Sequence, residues 1–332
     1  MILNNHKEKS ADLSLWALAA QKLMEEQKQT WSLLKNNYDG LAGVVVRDLE
    51  IDGINIVIQN NPVRIISTSA DVSDATINKR PCFLCLNNLP AEQKALEYGK
   101  HYLILCNPYP IFEEHFTIVH KKHIPQNITA NFDDMLDISE KLGFRFSLFY
   151  NGPRCGASAP DHLHFQAASK RILPIENDVL QLKKSDEKNI IRSDGLEITF
   201  IEEYLRFGFL LESDSKSELL QAFKLFIRSF KNISKPDEEP MVNIISLFEK
   251  ERWQVFIFPR RLHRPKQYFA KGENQIVISP AAVDMGGLIV LPRQEDYEKI
   301  KSTDITDIYS QVTITKEYFE YLKNKFVAAY KA

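Results

Sequence analysis

The chain has 332 residues, enough for about two domains at ~150 residues each. Its 42 Lys and Arg against 44 Asp and Glu leave a formal charge of −2, which excludes a strongly basic nucleic-acid coat and argues against a nucleic-acid partner. With 12 Gly and 15 Pro the chain is neither collagen-like nor low-complexity, and no apolar run approaches the ~18 residues of a membrane helix.

The N-terminus turns polar at Asn4-Asn5, before a signal-peptide core can form, so a cytoplasmic protein without a membrane partner is expected. Residues 10–37 read as one helix. Ser10 can cap it, and Leu13, Trp16, Ala20, Leu23 and Met24 repeat at helical spacing. Short β-rich runs follow at 44–46, 54–58 and 63–66, with the hairpin signal Asp52-Gly53 between the first two. Strands are expected at 102–106 and 115–120, a helix at 131–142, and strands at 144–150 and 162–168. The last two are joined by a loop rich in small residues, 151–161. A charged crossover at 186–189 leads to strands at 196–201 and 207–211 and a helix at 216–232. A loop at 234–240, a hairpin of 242–248 with 253–258, and a closing helix at 311–330 complete the chain.

The two halves share a faint pattern. A strand precedes Lys121-Lys122-His123 and Pro125, and another precedes Arg260-Arg261, His263 and Pro265. The second segment has no cysteine beside it. Arg260, Arg261 and His263 are candidates to reach a site across the halves.

Chemistry concentrates between residues 79 and 170. Five of the eight histidines lie between His115 and His164. In a strand His162, His164 and Gln166 share one face, while Leu163 and Phe165 are buried on the other. Two imidazoles and an amide in a row on one face are costly unless a ligand uses them. The preceding Gly156-Ala157-Ser158 lets backbone approach a ligand, and loop amides with a hydroxyl hold phosphate oxygens. A neutral imidazole beside such a loop can attack phosphorus and carry a nucleotidyl group, so activity falls as pH drops through its pKa. Arg154 and Lys170 flank this segment and are weaker phosphate candidates.

Only four cysteines occur, too few for a disulfide scaffold. Cys82 and Cys85 form a C-x-x-C pair, the spacing of a zinc knuckle. His123, 38 residues beyond Cys85, and His162, 39 further, are the candidate partners, with His115 as a substitute for His123. Two buried thiols without metal, or a redox pair, are the competing readings. Cys106 reads as a buried small residue and Asp284 as a turn residue.

The run Glu114-His115-Phe116-Thr117-Ile118-Val119-His120-Lys121-Lys122-His123-Ile124-Pro125-Gln126 resembles the strand-and-turn segment of histidine-triad proteins. His162-x-His164-x-Gln166 after Gly156-Ala157-Ser158 resembles the H-x-H-x-Q branch of that superfamily. This branch includes galactose-1-phosphate uridylyltransferase, diadenosine tetraphosphate phosphorylase and the GDP-hexose phosphorylases. Residues 279–287 are similar to a stretch in the second half of dinucleoside phosphorylases. The resemblance implies that His164 is the nucleophile and that Gln166 favours transfer to phosphate or a sugar phosphate over water. It implies zinc, with iron as the alternative, on Cys82, Cys85, His123 and His162. It places Asn107 at a ribose-binding acid's position and Asn151, Gly156, Ala157 and Ser158 in a phosphate-contacting loop. Two departures stand out: Asn107 replaces an acid, and Ala159, Pro160 and Asp161 lengthen the loop before His162.

The expected fold is therefore α+β, with HIT-like antiparallel sheets and helices in two lobes, the second a degenerate repeat. Residues 1–78 join the first lobe, 79–170 form the catalytic lobe, and 171–332 the second. The expected activity is that of a nucleotidyltransferase or phosphorylase. It acts on a nucleotide-sugar or dinucleoside polyphosphate, with phosphate or a sugar phosphate as acceptor, and a homodimer is possible. A histidine-triad-type nucleotide hydrolase and a non-catalytic zinc-containing nucleotide-binding protein are the alternatives.

Overall fold

The computed structural model describes residues 12–77, 79–185, 190–193, 195–231 and 239–331. The Ser10 cap, the crossover at 186–189 and most of the loop at 234–240 lie outside them.

The expected first helix is two: Asp12–Thr30 and Ser32–Asp39. Trp31 breaks it by adopting an extended backbone (φ −127°, ψ 101°), which turns its indole inward to 4% exposure. The strands in chain order are β1 Val45–Ile51, β2 Ile54–Asn60, β3 Ala95–Tyr98, β4 Tyr102–Cys106, β5 His115–His120, β6 Phe146–Asn151 and β7 His164–Ser169. They continue as β8 Ile190–Ser193, β9 Leu196–Ile201, β10 Gly208–Ser213, β11 Val242–Glu249, β12 Arg252–Pro259 and β13 Leu288–Leu291. Asp52 (φ 51°) and Gly53 (φ 77°) make the β1–β2 turn with the left-handed backbone that a two-residue hairpin requires. β13 joins this hairpin parallel to β2.

The expected strand at 63–66 is instead a 3-10 turn, Pro62–Arg64, running into a helical turn, Ile65–Thr68. Pro62 lacks the N–H a ladder needs and presets the first helical φ, which overrides the β-branched run. This helical turn places Arg64 and Ser67 at a cavity. The expected closing helix at 311–330 is Lys316–Lys331; residues 311–312 instead end a separate, unexpected helix, Ser302–Val312, which stops at an extended Thr313 (ψ 168°).

The other ten strands form one antiparallel sheet in the order β3-β4-β5-β7-β6-β11-β12-β10-β9-β8. Taken from each outer edge inward, both halves repeat one topology: β3-β4-β5-β7-β6 and β8-β9-β10-β12-β11. A helix precedes the innermost strand of each half, Phe132–Leu142 before β6 and Lys216–Lys231 before β11. The halves meet at β6 and β11, where Asn151 pairs with Asn243. The chain is thus α+β with two lobes and a degenerate repeat, as the sequence implies. The repeat is not the one marked by the basic pairs, however. The 121–126 segment follows β5, whereas the 260–265 segment follows β12, the counterpart of β7.

One face of the large sheet buries Ile104, Phe116, Phe146, Leu163 and Phe165 under helices, including Met135 and Leu136 of Phe132–Leu142. Each such side chain contributes roughly 1.5–3 kcal/mol on burial. The opposite face, with Phe149, Ile245 and Phe256, packs on Ile54, Ile56 and Ile58 of the hairpin and on β13. That cover stops short of the outer part of the first lobe. There β4 and β5 are capped by the segment around Cys82 and Leu84, leaving room for a site beside β7.

Candidate functional site

The strand β7 begins at His164, so His162 stands just before it, in a turn where His162 N–H donates to Ala159 O (3.2 Å). The alternation otherwise holds: Leu163 and Phe165 are buried under the helices, and His164 and Gln166 face a cavity of ≈500 Å3 on the other side. Such a volume suits a nucleotide-sized ligand.

His164 is clamped. Its backbone N–H donates to Gln126 Oε1 (2.8 Å), and Gln126 Nε2 donates back to His164 O (3.0 Å) and to Asn151 O (2.9 Å). On the ring, Nδ1–H donates to the His162 carbonyl (2.8 Å), which leaves the Nε2 lone pair unspent. The imidazole is 3% exposed, and burial pushes its pKa down to about 4. It is neutral at pH 7.

Gln166 is oriented from behind. Ile111 N–H donates to His115 Nδ1 (3.3 Å), so the ring proton of His115 sits on Nε2 and is donated to Gln166 Oε1 (3.1 Å). The carboxamide oxygen is thereby occupied and its NH2 group is left as the donor. Burial, then the nearby Arg64 charge, lowers His115 to about 3. His115, expected as a substitute metal ligand for His123, supports Gln166 instead. Thr117 pairs with Gln166 across β5 and β7, and Asn107 Nδ2 donates to Thr117 Oγ1 (3.2 Å), extending the polar wall.

A smaller cavity of ≈60 Å3 adjoins the first, and Arg64, Ser67, Ser158 and Gln166 line both. Gly156, Asn151, Ser279 and Asp284 line the smaller one. Arg64 donates to Tyr109 O (2.8 Å), and burial lowers its guanidinium only to about 10, so it carries charge between the two spaces. Asn151 Oδ1 is taken by Ala282 N–H (2.7 Å) and Asn243 Nδ2 (2.9 Å), so this side chain also ties the loop to the second lobe. Gly156 has φ +107°, and a Cβ there would lie 2.6 Å from Ala281 Cβ. Ala157 is buried at 2% exposure behind the loop.

Cys82, Cys85, His123 and His162 come together with their ligand atoms all within 4.8 Å of one another. Cys82 Sγ lies 3.3 Å from His162 Nδ1 and Cys85 Sγ lies 3.2 Å from His123 Nδ1. Tetrahedral ligands around zinc are roughly 3.3–3.8 Å apart. His162 donates its Nε2–H to His120 O (2.7 Å), which leaves Nδ1 free for a metal, the usual support for a ligating imidazole. This group can hold a metal ion. Cys106 and Cys155 are fully buried free thiols elsewhere.

The other candidates stand aside. Lys170 Nζ donates to Phe248 O (3.1 Å), and neither Lys170 nor exposed Arg154 is among the residues lining the two cavities. Arg260 does not reach the site. It is 2% exposed and donates to the carbonyls of Val312, Pro280, Leu262 and His263 and to Asn243. Arg261 donates to Ser310 and Gln311 carbonyls, and His263 meets Ser279 Oγ (3.3 Å). Asp284 lines the smaller cavity, but its two carboxylate oxygens accept from Ala281 N–H (2.8 Å) and Val290 N–H, a turn role. Among the described residues no helix is long and apolar enough to cross a membrane.

Residues 23–169 match a family model described as a domain of unknown function (DUF4922). Residues 181–332 match one described as the GDPGP1-like, C-terminal domain. No curated protein matches the sequence. Among solved structures, yeast Ap4A phosphorylase Apa2 aligns with a TM-score of 0.55 at 14% identity, covering 85% of this chain and 96% of its own. Its complex with AMP aligns at 0.55 and 14%, covering 89% and 96%. Its complex with Ap4A aligns at 0.53 and 15%, covering 87% and 97%. The resemblance to the H-x-H-x-Q branch of the histidine-triad superfamily holds on two counts: the shared fold and the C-terminal family model.

Proposed function

We propose that this chain is a nucleotidyltransferase of the phosphorylase type. It cleaves a nucleoside diphosphate-sugar or a dinucleoside polyphosphate through a covalent nucleotidyl-histidine on His164. The nucleotide then passes to phosphate or a sugar phosphate.

One observation carries the reading: His164 spends Nδ1–H on a backbone carbonyl and keeps Nε2 bare on the wall of a nucleotide-sized cavity, beside the directed amide of Gln166. In the first step the Nε2 lone pair attacks the α-phosphorus. A P–N bond forms, the bridging P–O bond breaks, and the leaving phosphate keeps that electron pair. The imidazole becomes cationic, and the Nδ1–H bond to His162 O steadies that charge. In the second step an acceptor oxygen attacks phosphorus and the P–N pair returns to Nε2. Gln166 NH2 and the Arg64 guanidinium offset the charge on the phosphoryl oxygens through both steps. Asn107 faces the ribose, and Asn151, Gly156, Ala157 and Ser158 shape the phosphate side.

Cys82, Cys85, His123 and His162 would hold zinc, or iron. The metal supplies structural cross-linking, fixing the residue whose carbonyl orients His164. The free thiols suit a cytoplasmic setting.

The test is turnover of GDP-hexoses, UDP-hexoses and dinucleoside polyphosphates with and without phosphate. Consumption that depends on the acceptor supports transfer. Equal consumption in its absence favours the hydrolase.

A further inference from the structure

Arg80 immediately precedes Pro81 and the C-x-x-C pair, and nothing in its sequence context marks it. In the structure its guanidinium is gripped on three sides. Nη2 donates to Asp161 Oδ1 (3.0 Å) and to the Ser158 carbonyl (3.4 Å), and Cζ lies 4.9 Å from the centre of the Phe83 ring. The other arm, Nη1, is shut off from solvent and has no acceptor among the described residues. A charged donor buried without an acceptor is costly and calls for an explanation.

Its location supplies one. Arg80 lines the larger cavity together with His164, Gln166 and Ser158. It is not among the residues of the smaller cavity, whereas Arg64 lines both. Nη1 is itself closed off, so a turn of the guanidinium about its grip on Asp161 and the Ser158 carbonyl is what brings that arm to an oxyanion in the cavity.

We propose that Arg80 binds the phosphoryl group that is transferred, on the nucleoside side of the site, while Arg64 spans that group and the one that leaves. This assignment rests on the nucleotidyl-transfer reading. Because the transferred phosphoryl takes part in both steps, Arg80 acts in both adduct formation and adduct breakdown. The leaving group and the acceptor do not touch it.

The experiment uses the full chain as wild type, Arg80→Lys and Arg80→Met, each checked for metal content and melting temperature. Titration calorimetry with AMP, GMP, UMP and CMP finds which monophosphate binds the wild type. The corresponding nucleoside is then titrated. The assignment expects Arg80→Met to weaken the monophosphate by about 10- to 100-fold while the nucleoside stays within about twofold. Rates of adduct formation and of its clearance by phosphate are expected to fall together. Where Arg80→Met does not fold, Arg80→Lys carries the test, since it keeps one charge toward Asp161 but lacks the second arm. Unchanged monophosphate binding overturns the assignment and leaves the function standing. Equal weakening of monophosphate and nucleoside also overturns it, since that is a structural role. A wild type that binds no monophosphate and forms no adduct overturns the functional reading itself.

Discussion

His115 donates its Nε2–H to Gln166 Oε1 across 3.1 Å, and Ile111 N–H holds the other ring nitrogen of His115. This pairing decides which end of the Gln166 amide faces the cavity. A carboxamide free to flip would also present its oxygen, an acceptor with nothing to offer a phosphate. Replacing His115 with Phe keeps the ring volume and frees the amide. The expected result is a fall in kcat of about 10- to 100-fold with little change in KM, because the donor acts on developing charge. Steady-state kinetics on the preferred donor check it.

The same histidine sets a pH dependence of stability. Its folded pKa is depressed to about 3 from an ordinary 6.5, first by burial and then by the Arg64 charge. Its contribution is therefore fully present above pH ~6.5 and is lost as pH falls from there toward about 3, because the unfolded chain takes up the proton first. The loss amounts to roughly 1.4 kcal/mol per pH unit over that window. Urea titrations between pH 7 and pH 4.5 should show the wild type losing this increment relative to His115→Phe.

Metal removal should loosen the same strand from its other end. The Cys82, Cys85, His123 and His162 group is expected to bind one zinc or iron per chain, counted by plasma mass spectrometry. Chelation, or Cys82→Ser, should lower the melting temperature by roughly 5–10 °C. Activity should fall with it, because His162 O holds His164 Nδ1 at 2.8 Å.

Gly156 joins the lobes by close approach. An alanine there would set its Cβ 2.6 Å from Ala281 Cβ and 3.0 Å from Ala281 Cα, at φ +107°. Gly156→Ala should cost about 2–4 kcal/mol by denaturant unfolding. Gly99 also has positive φ (+54°) but nothing within 4 Å of a Cβ, so Gly99→Ala should cost only about 1 kcal/mol.

What the sequence disclosed follows from period and spacing. The alternation His162-Leu163-His164-Phe165-Gln166 separates a cavity face from a core face because a strand has period two, and Leu163 and Phe165 do lie in the core. The C-x-x-C pair is visible from spacing, while its meeting with His123 and His162 depends on how β5 and β7 are paired. Arg64 was hidden because a β-branched run disguised a helical turn started by Pro62. Arg80 carries no motif, and Gln126 ends a recognisable run that assigns it no role; their contacts are with residues 81 and 38 positions away in the chain. Arg260 misled for the opposite reason. A basic residue beside a histidine suggests a ligand, but here it satisfies buried carbonyls at a chain crossing.

The proposed chemistry requires a covalent bond between His164 and a nucleotide. Intact-mass spectrometry tests it most directly, on protein mixed at neutral pH with GDP-hexoses, UDP-hexoses and dinucleoside polyphosphates, without acceptor. The expected result is a gain of one nucleoside monophosphate, absent in His164→Ala and cleared when phosphate is added. Donor consumption with no adduct at any time point, or an adduct that persists in His164→Ala, would contradict it.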